Sequence, residues 1–431
     1  MHKLQEMIVK QKSGEHAGVF SCCSSNEYVL RALFKKAKEH NIIALVESTA
    51  NQVDQFGGYT GQTPEVFYNW CKELAKKSDF DESYLILGGD HLGPLTWTKL
   101  DEEEALTNAD QLIYQYVLAG FTKIHIDTSM LLSTDDKSIP LYDDIIARRT
   151  VRLCKKAEEA FRERKKSIPK AIPPIYVIGS EVPIPGGAQE SEEMEVTDSE
   201  QLKATLKIFH DAFHDNGLAE AWKRIIAVVV QPGVEFSEDE VFVYNRENAK
   251  KLCAVIKDDP NLVFEGHSTD YQPKEALQEM IADGICILKV GPALTFAFRE
   301  ALFALENIEK ILFEGADVKL SEFADTLEKV MLENPSRWIN HYHGDERFKK
   351  IKRKYGYSDR ARYYLNEDVV KESIARLLTN LKDPIPMPLL SQFMPIQYKK
   401  IQDELIENNV DALVLDRIGD YYDDYIFALK K

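Results

Sequence analysis

Tyr84-Leu85-Ile86-Leu87 runs directly into Gly88-Gly89-Asp90-His91-Leu92-Gly93-Pro94, and the reading of this stretch decides the fold. Four apolar residues have the length of a buried strand. Ending them in two glycines, a carboxylate beside an imidazole, and Gly-Pro suits a parallel strand that delivers polar groups to one rim of a sheet. The same grammar recurs on both sides. Val19 to Ser24, Ile42 to Ser48, Lys123 to Ser129, Pro174 to Glu181, Arg224 to Gln231, Asn261 to His267 and Gly284 to Gly291 are each short apolar runs that finish in polar residues.

Between these runs lie patterns of helical period, the last continuing to about Leu312. Eight strands alternating with helices predict an α/β chain folded as a closed TIM (β/α)8 barrel. An open doubly wound sheet is the weaker alternative, because no G-x-G-x-x-G follows the first run. Residues 1–16 read as a covering helix that ends at Gly14. Residues 313–431 carry helical patterns and aromatic-basic clusters such as Ser358 to Tyr364, without a further strand series. The predicted organisation is a barrel over 1–312 and an all-helical C-terminal extension over 313–431.

A formal charge of −17 over 431 residues argues against a general affinity for nucleic acid, because phosphate neutralisation needs a basic face. With 44% hydrophobic and 29% charged residues the composition is that of a globular chain. No apolar stretch approaches the roughly 20 residues of a membrane helix. The first residues lack a secretory apolar core, and the six cysteines show no C-x-x-C spacing. Both features predict a reduced, cytoplasmic protein.

Chemistry is expected where the strand ends converge. Glu265 and His267 are two apart and share a strand face, so both are placed in the barrel mouth. His91 from the third run and Gln231 from the sixth are expected to reach the same space. Imidazole and carboxylate donors around an open position predict a divalent metal ion, zinc first, with manganese or magnesium as alternatives. The competing reading of these residues is a hydrogen-bonded polar layer over the core. Asp90, Glu181 and Asp127 are the acid/base candidates, whereas His125, in mid-strand, reads as a core or helix-facing histidine. Asn51 and Gln52 open a long polar loop of a length usually tied to function. Backbone amides at Ser268, Thr269 and Gly291 occupy the usual barrel position for phosphate. No Walker loop supports a nucleotide-dependent kinase, and no G-x-S-x-G elbow supports a hydrolase.

Beyond these readings, long stretches resemble the GatZ/KbaZ family. They include Ala50 to Gly61, Gly88 to Pro94, Val229 to Phe236, Gly266 to Gln272, Lys289 to Ala297 and Ser358 to Tyr364, with Ser180 to Gly187 less closely similar. The resemblance implies a Z-type subunit associated with class II tagatose-1,6-bisphosphate aldolases, described as a non-catalytic partner that the catalytic Y-type subunit requires. It also implies kinship with metal-dependent epimerases that invert C4 of ketohexose phosphates or related keto-acids. Asp90-His91 is similar to the acid and first zinc ligand of class II aldolases. Glu265 falls about where those enzymes place another histidine, and near Gln231 to Glu235 a further aldolase histidine is missing. The expectation is a metal-dependent fructose 6-phosphate/tagatose 6-phosphate 4-epimerase using retro-aldol chemistry. The alternative is a stabilising aldolase subunit. Expected partners are a small phosphorylated ketohexose, a Y-type aldolase subunit and, for a homo-oligomer, further copies of the chain.

Overall fold

The computed structural model describes residues 1–179 and 196–431. Eight short strands pair in parallel and close on themselves: β1 (Val19–Cys22), β2 (Ala44–Thr49), β3 (Leu85–Leu92), β4 (Lys123–Ile126), β5 (Ile175–Ile178), β6 (Ile225–Val230), β7 (Val263–Gly266) and β8 (Ile285–Val290). Each neighbours the next in sequence, and β8 returns to β1. This is the predicted barrel. Among the described residues no helix is long and apolar enough to cross a membrane.

The barrel interior is layered because side chains alternate along each strand. Val19, Leu45, Ile86, Ile175, Val177, Val263 and Ile287 form an apolar floor. The helix Lys3–Lys12 plugs this end with Leu4, Met7 and Ile8, all buried against that floor. Its first turn is capped by His2, whose Nδ1 accepts from the Leu4 amide. Two residues further along the strands the inward positions change character. Glu47 follows Leu45, Lys123 stands beside the floor, Glu265 follows Val263 and Lys289 follows Ile287, and all are buried.

Strand β3 continues beyond the expected boundary, so that Gly88-Gly89-Asp90-His91 lies within the strand instead of in a turn after it. It carries one extra residue relative to β4. Gly89 pairs with Ile124 and Leu92 with Ile126, so three steps on β3 match two on β4. This bulge, with His91 in the left-handed region at φ 49°, turns two consecutive side chains to the same side. The glycines admit the close approach. A Cβ at Gly93 would fall 1.7 Å from the Asp127 carbonyl oxygen, and one at Gly88 would fall 2.7 Å from Glu47 Oε1.

The C-terminal part is helical among the described residues and packs directly on the barrel. Its last helix, Val410–Ala428, lies against the helices Glu27–His40, Lys274–Ala282 and Pro292–Leu312. Tyr422 and Tyr425 reach past them to Phe20 of β1, with ring centroids 5.7 and 5.4 Å away. Tyr425 Oη donates to the Thr269 carbonyl at 2.8 Å. The short helical turn Arg360–Tyr364 is held over the barrel mouth by Asp359, which accepts from Arg299 at 2.8 Å and Thr295 at 2.6 Å.

Candidate metal centre

Three imidazoles meet at the C-terminal rim. His91, His125 and His267 are buried, and their ring centroids form a triangle with sides of 5.1, 5.0 and 5.3 Å. One donor atom from each, together with one Asp90 oxygen, lies within 4.8 Å of the others. Alternation along the strands explains the convergence. Lys123, His125 and Asp127 follow at intervals of two from β4 onward, as do Glu265 and His267 on β7, while the β3 bulge adds the pair Asp90 and His91.

The surrounding bonds leave particular ring nitrogens facing inward. Asp127 Oδ2 lies 2.8 Å from His91 Nδ1, and Glu265 Oε1 lies 3.0 Å from His267 Nε2. Such carboxylate–imidazole pairs fix the orientation of a metal-binding histidine from behind. His125 Nδ1 lies 2.8 Å from Asp90 Oδ1, and its Nε2 is buried without a hydrogen-bond partner among the described residues. An orphaned buried nitrogen is costly, and a metal ion satisfies it.

Beneath the imidazoles runs a chain of buried ions. Lys123 Nζ sits 2.6 Å from both Glu47 Oε1 and Glu265 Oε2. Lys289 Nζ sits 2.5 Å from Glu47 Oε2 and 2.8 Å from Asp90 Oδ1. Ser21 donates to Glu47 Oε2 at 2.5 Å. Among the described residues, the four carboxylates Glu47, Asp90, Asp127 and Glu265 face two ammonium groups, Lys123 and Lys289, when the imidazoles are neutral. Burying two uncompensated negative charges is expensive, and a divalent cation removes the deficit. The donor set therefore fits such an ion.

Protonation follows the same field. Burial raises the Asp90 carboxyl, but His91, Lys289 and the His125 hydrogen bond outweigh it and hold it well below the usual carboxylate range. Asp127 is likewise brought down to about 2, its burial being overcome by His91. Burial keeps His267 neutral, with its pKa lowered to about 4 despite the bond to Glu265. His91 goes the other way: burial lowers it, yet Asp90 and Asp127 on either side raise it. At the edge of the mouth, burial pushes Glu235 up to about 7 and Asp270 up to about 6.

A cavity of about 90 Å³ opens above the imidazoles. Of the residues singled out in the sequence, Asp90, His91, His267, Asn51, Gln52, Ser268 and Gly291 line it. Asp127 stands behind His91, and Glu265 is held between Lys123, Lys289 and His267. Gln231 turns back on its own loop, its Oε1 accepting from the Gly233 and Val234 amides at 2.9 and 2.8 Å. The Thr269 hydroxyl donates to the Lys289 carbonyl at 2.7 Å and does not reach the cavity. The Gly291 and Ala293 amides both donate to Asp270 Oδ1, at 3.0 and 2.8 Å. Glu181 lies outside the described residues.

His125, Lys123, Lys289 and Glu47 join the site without having been singled out for it. Their signal was present: charged or imidazole side chains at every second position of an otherwise apolar strand. The cavity also takes Arg362 and Tyr363 from the C-terminal part, with Tyr363 packed edge-on to Tyr59 at 5.1 Å.

A sequence-family model described as "D-tagatose-1,6-bisphosphate aldolase subunit GatZ/KbaZ-like" matches residues 4–430. Among solved structures, the chain is similar to a probable tagatose 6 phosphate kinase from Sinorhizobium meliloti 1021. The two are 38% identical with a TM-score of 0.86, over 96% of this chain and 100% of that one. The YdjI aldolase from Escherichia coli K12 matches at 11% identity and a TM-score of 0.39, over 87% of this chain and 96% of that one. A fructose-bisphosphate aldolase from Campylobacter jejuni matches at 14% and 0.42, over 88% and 94%. At those two values the likeness carries no functional information.

Proposed function

Because the chain belongs to the D-tagatose-1,6-bisphosphate aldolase subunit GatZ/KbaZ-like family, we propose that it is itself an enzyme: a divalent-metal-dependent 4-epimerase interconverting fructose 6-phosphate and tagatose 6-phosphate. The observation that carries this reading is the triangle of buried imidazoles beside Asp90, with His125 Nε2 left without a partner among the described residues. A purely scaffolding subunit has no need of it.

In this reading His91, His125 and His267 hold the cation, zinc first with manganese or magnesium as alternatives. Asp127 and Glu265 orient two of the rings. A cation bound there supplies Lewis acidity to the oxygens of a ketose. Asp90, kept ionised by Lys289 and its imidazole neighbours, takes the proton from the C4 hydroxyl. The C3–C4 bond breaks, its electron pair passing to the C1–C3 fragment as an enediolate, and C4 becomes an aldehyde. The aldehyde turns within the cavity to present its other face. The bond re-forms and Asp90 returns the proton to the C4 oxygen, so atoms and charge balance without a co-reactant. Lys289 keeps its ammonium on Asp90 throughout. Glu181 is a further acid/base candidate.

The test is an NMR assay on fructose 6-phosphate with zinc, manganese or magnesium added in turn. Appearance of tagatose 6-phosphate, lost in Asp90→Asn, is the expected result; no conversion with any of the three ions overturns the proposal. The family description favours one second reading, a stabilising subunit of a catalytic Y-type aldolase. Activation of such a partner that survives His91→Ala, from a protein without activity of its own, supports that reading instead.

A further inference from the structure

In a barrel of this kind a substrate phosphate is usually held by amides after the seventh and eighth strands, at the start of the following helix. Here that place is taken by the protein itself. Asp270 Oδ1 accepts from the Gly291 and Ala293 amides, at the N-terminus of the helix Pro292–Leu312. A phosphate dianion brought there would lose both donors and meet a carboxylate.

On the other side of the mouth stands Arg362. Its Nη1 donates to the Ser358 and Asp359 carbonyls, the latter at 3.1 Å, and Nη2 donates to Tyr363 Oη at 2.8 Å. Of the five guanidinium N–H groups, the Nε donor and one on Nη2 then have no protein acceptor among the described residues. No carboxylate among the described residues forms an ion pair with it, although Asp359 and Asp270 are near. Arg362 is a wall shared by the cavity above the imidazoles and a smaller adjoining one. The smaller one is lined by Ser24 and Ser25, ahead of the helix Glu27–His40. Ser24 is buried. Its oxygen accepts from the Asn26 amide at 3.2 Å, and its O–H has no protein acceptor among the described residues.

We propose that Arg362, with the Ser24 and Ser25 hydroxyls, forms the subsite for the phosphate of a sugar monophosphate, and that the helical C-terminal part thereby completes a site otherwise built by the barrel. This deepens the sugar-phosphate reading above and rests on it. The planar guanidinium presents parallel donors to a phosphate, and Ser24 adds a donor from the barrel side. Ser25, hydrogen-bonded to Tyr59, can turn its hydroxyl to the same space, and the ketose end extends toward the imidazoles. With Asp270 on the Gly291 and Ala293 amides, a second phosphate on the substrate gains nothing.

Calorimetric titration of metal-free protein separates this from the catalytic reading. Fructose 6-phosphate and inorganic phosphate are expected to bind, unphosphorylated fructose at least about tenfold more weakly, and fructose 1,6-bisphosphate no more tightly than the monophosphate. Arg362→Met removes cavity charge, and Ser25→Asp places a carboxylate in the subsite without touching the bonds Arg362 makes to its loop. Each is expected to weaken fructose 6-phosphate at least about tenfold while zinc binding is unchanged. If Arg362→Met fails to fold, Ser25→Asp decides. Affinity within twofold of the parent protein in the folded variants overturns the proposal, as does tighter binding of the bisphosphate. Phosphate binding that depends on Arg362 in a protein that never epimerises would sink the catalytic reading and leave the subsite standing.

Discussion

His91 is usable as an inward donor because Asp127 holds its Nδ1 from behind at 2.8 Å. Asp127→Asn keeps the shape but drops the charge, and is expected to weaken zinc binding about 10–100-fold. His125→Ala, which removes the orphaned donor, is expected to do at least as much. Competition with a chromogenic chelator measures both, and unchanged affinity in both variants would remove the metal from this position. One layer down, Lys123 balances Glu47 and Glu265 where solvent does not reach. Lys123→Met leaves Glu47 and Glu265 with Lys289 as their one shared ammonium partner among the described residues, a loss of about 3–5 kcal/mol. Denaturant unfolding of the variant checks this, and a change below about 1 kcal/mol would mean that the pair is solvated.

At the scale of single elements, the helix Lys3–Lys12 ties pH to stability through its cap. His2 is buried, and desolvation together with the charge of the amino terminus lowers its pKa from 6.5 to about 4. Above pH 6.5 the ring is neutral in both states and its contribution is complete. Below that, the unfolded chain takes up the proton first, so stability falls until the folded pKa is reached. Between pH 7 and 4.5 the loss from this residue is about 2–3 kcal/mol. In His2→Gln that share of the slope should vanish, as read from urea midpoints at the two pH values. An identical slope in the variant would exclude His2 as the cause. Strand β3 shows the complementary case, in which a bulge and a left-handed His91 turn neighbouring residues into one site.

For the whole molecule, the C-terminal part contributes both to the core and to the mouth. Tyr422 and Tyr425 of the helix Val410–Ala428 pack on Phe20 inside the shared hydrophobic core. Truncation after Asp403 should therefore yield a chain that does not hold a cooperatively folded barrel, with loss of the thermal transition by circular dichroism. A truncated protein that melts within a few degrees of the full chain would show that the barrel stands alone. The same packing places Arg362 and Tyr363 opposite Tyr59, more than three hundred positions earlier in the chain.

The number and order of the barrel strands, the covering helix at the start, and Asp90, His91 and His267 at the rim were all legible in the sequence. Each rests on local periodicity: apolar runs of strand length, helical spacing between them, and polar residues that end the runs. His125, in mid-strand, reads from sequence as a core or helix-facing histidine. Its inward direction depends on which face of β4 the closed barrel encloses. Gln231 and Glu265 carry suitable donor atoms, yet their partners are a loop turn and two lysines that only the assembled barrel brings near. The Gly291 and Ala293 amides, at the position expected for phosphate, are taken by Asp270 from the preceding loop. Chain-local forces choose strand or helix and which residues share a face. Which donor meets which acceptor across the barrel is a long-range matter of packing and charge compensation, and the tertiary structure alone decided it.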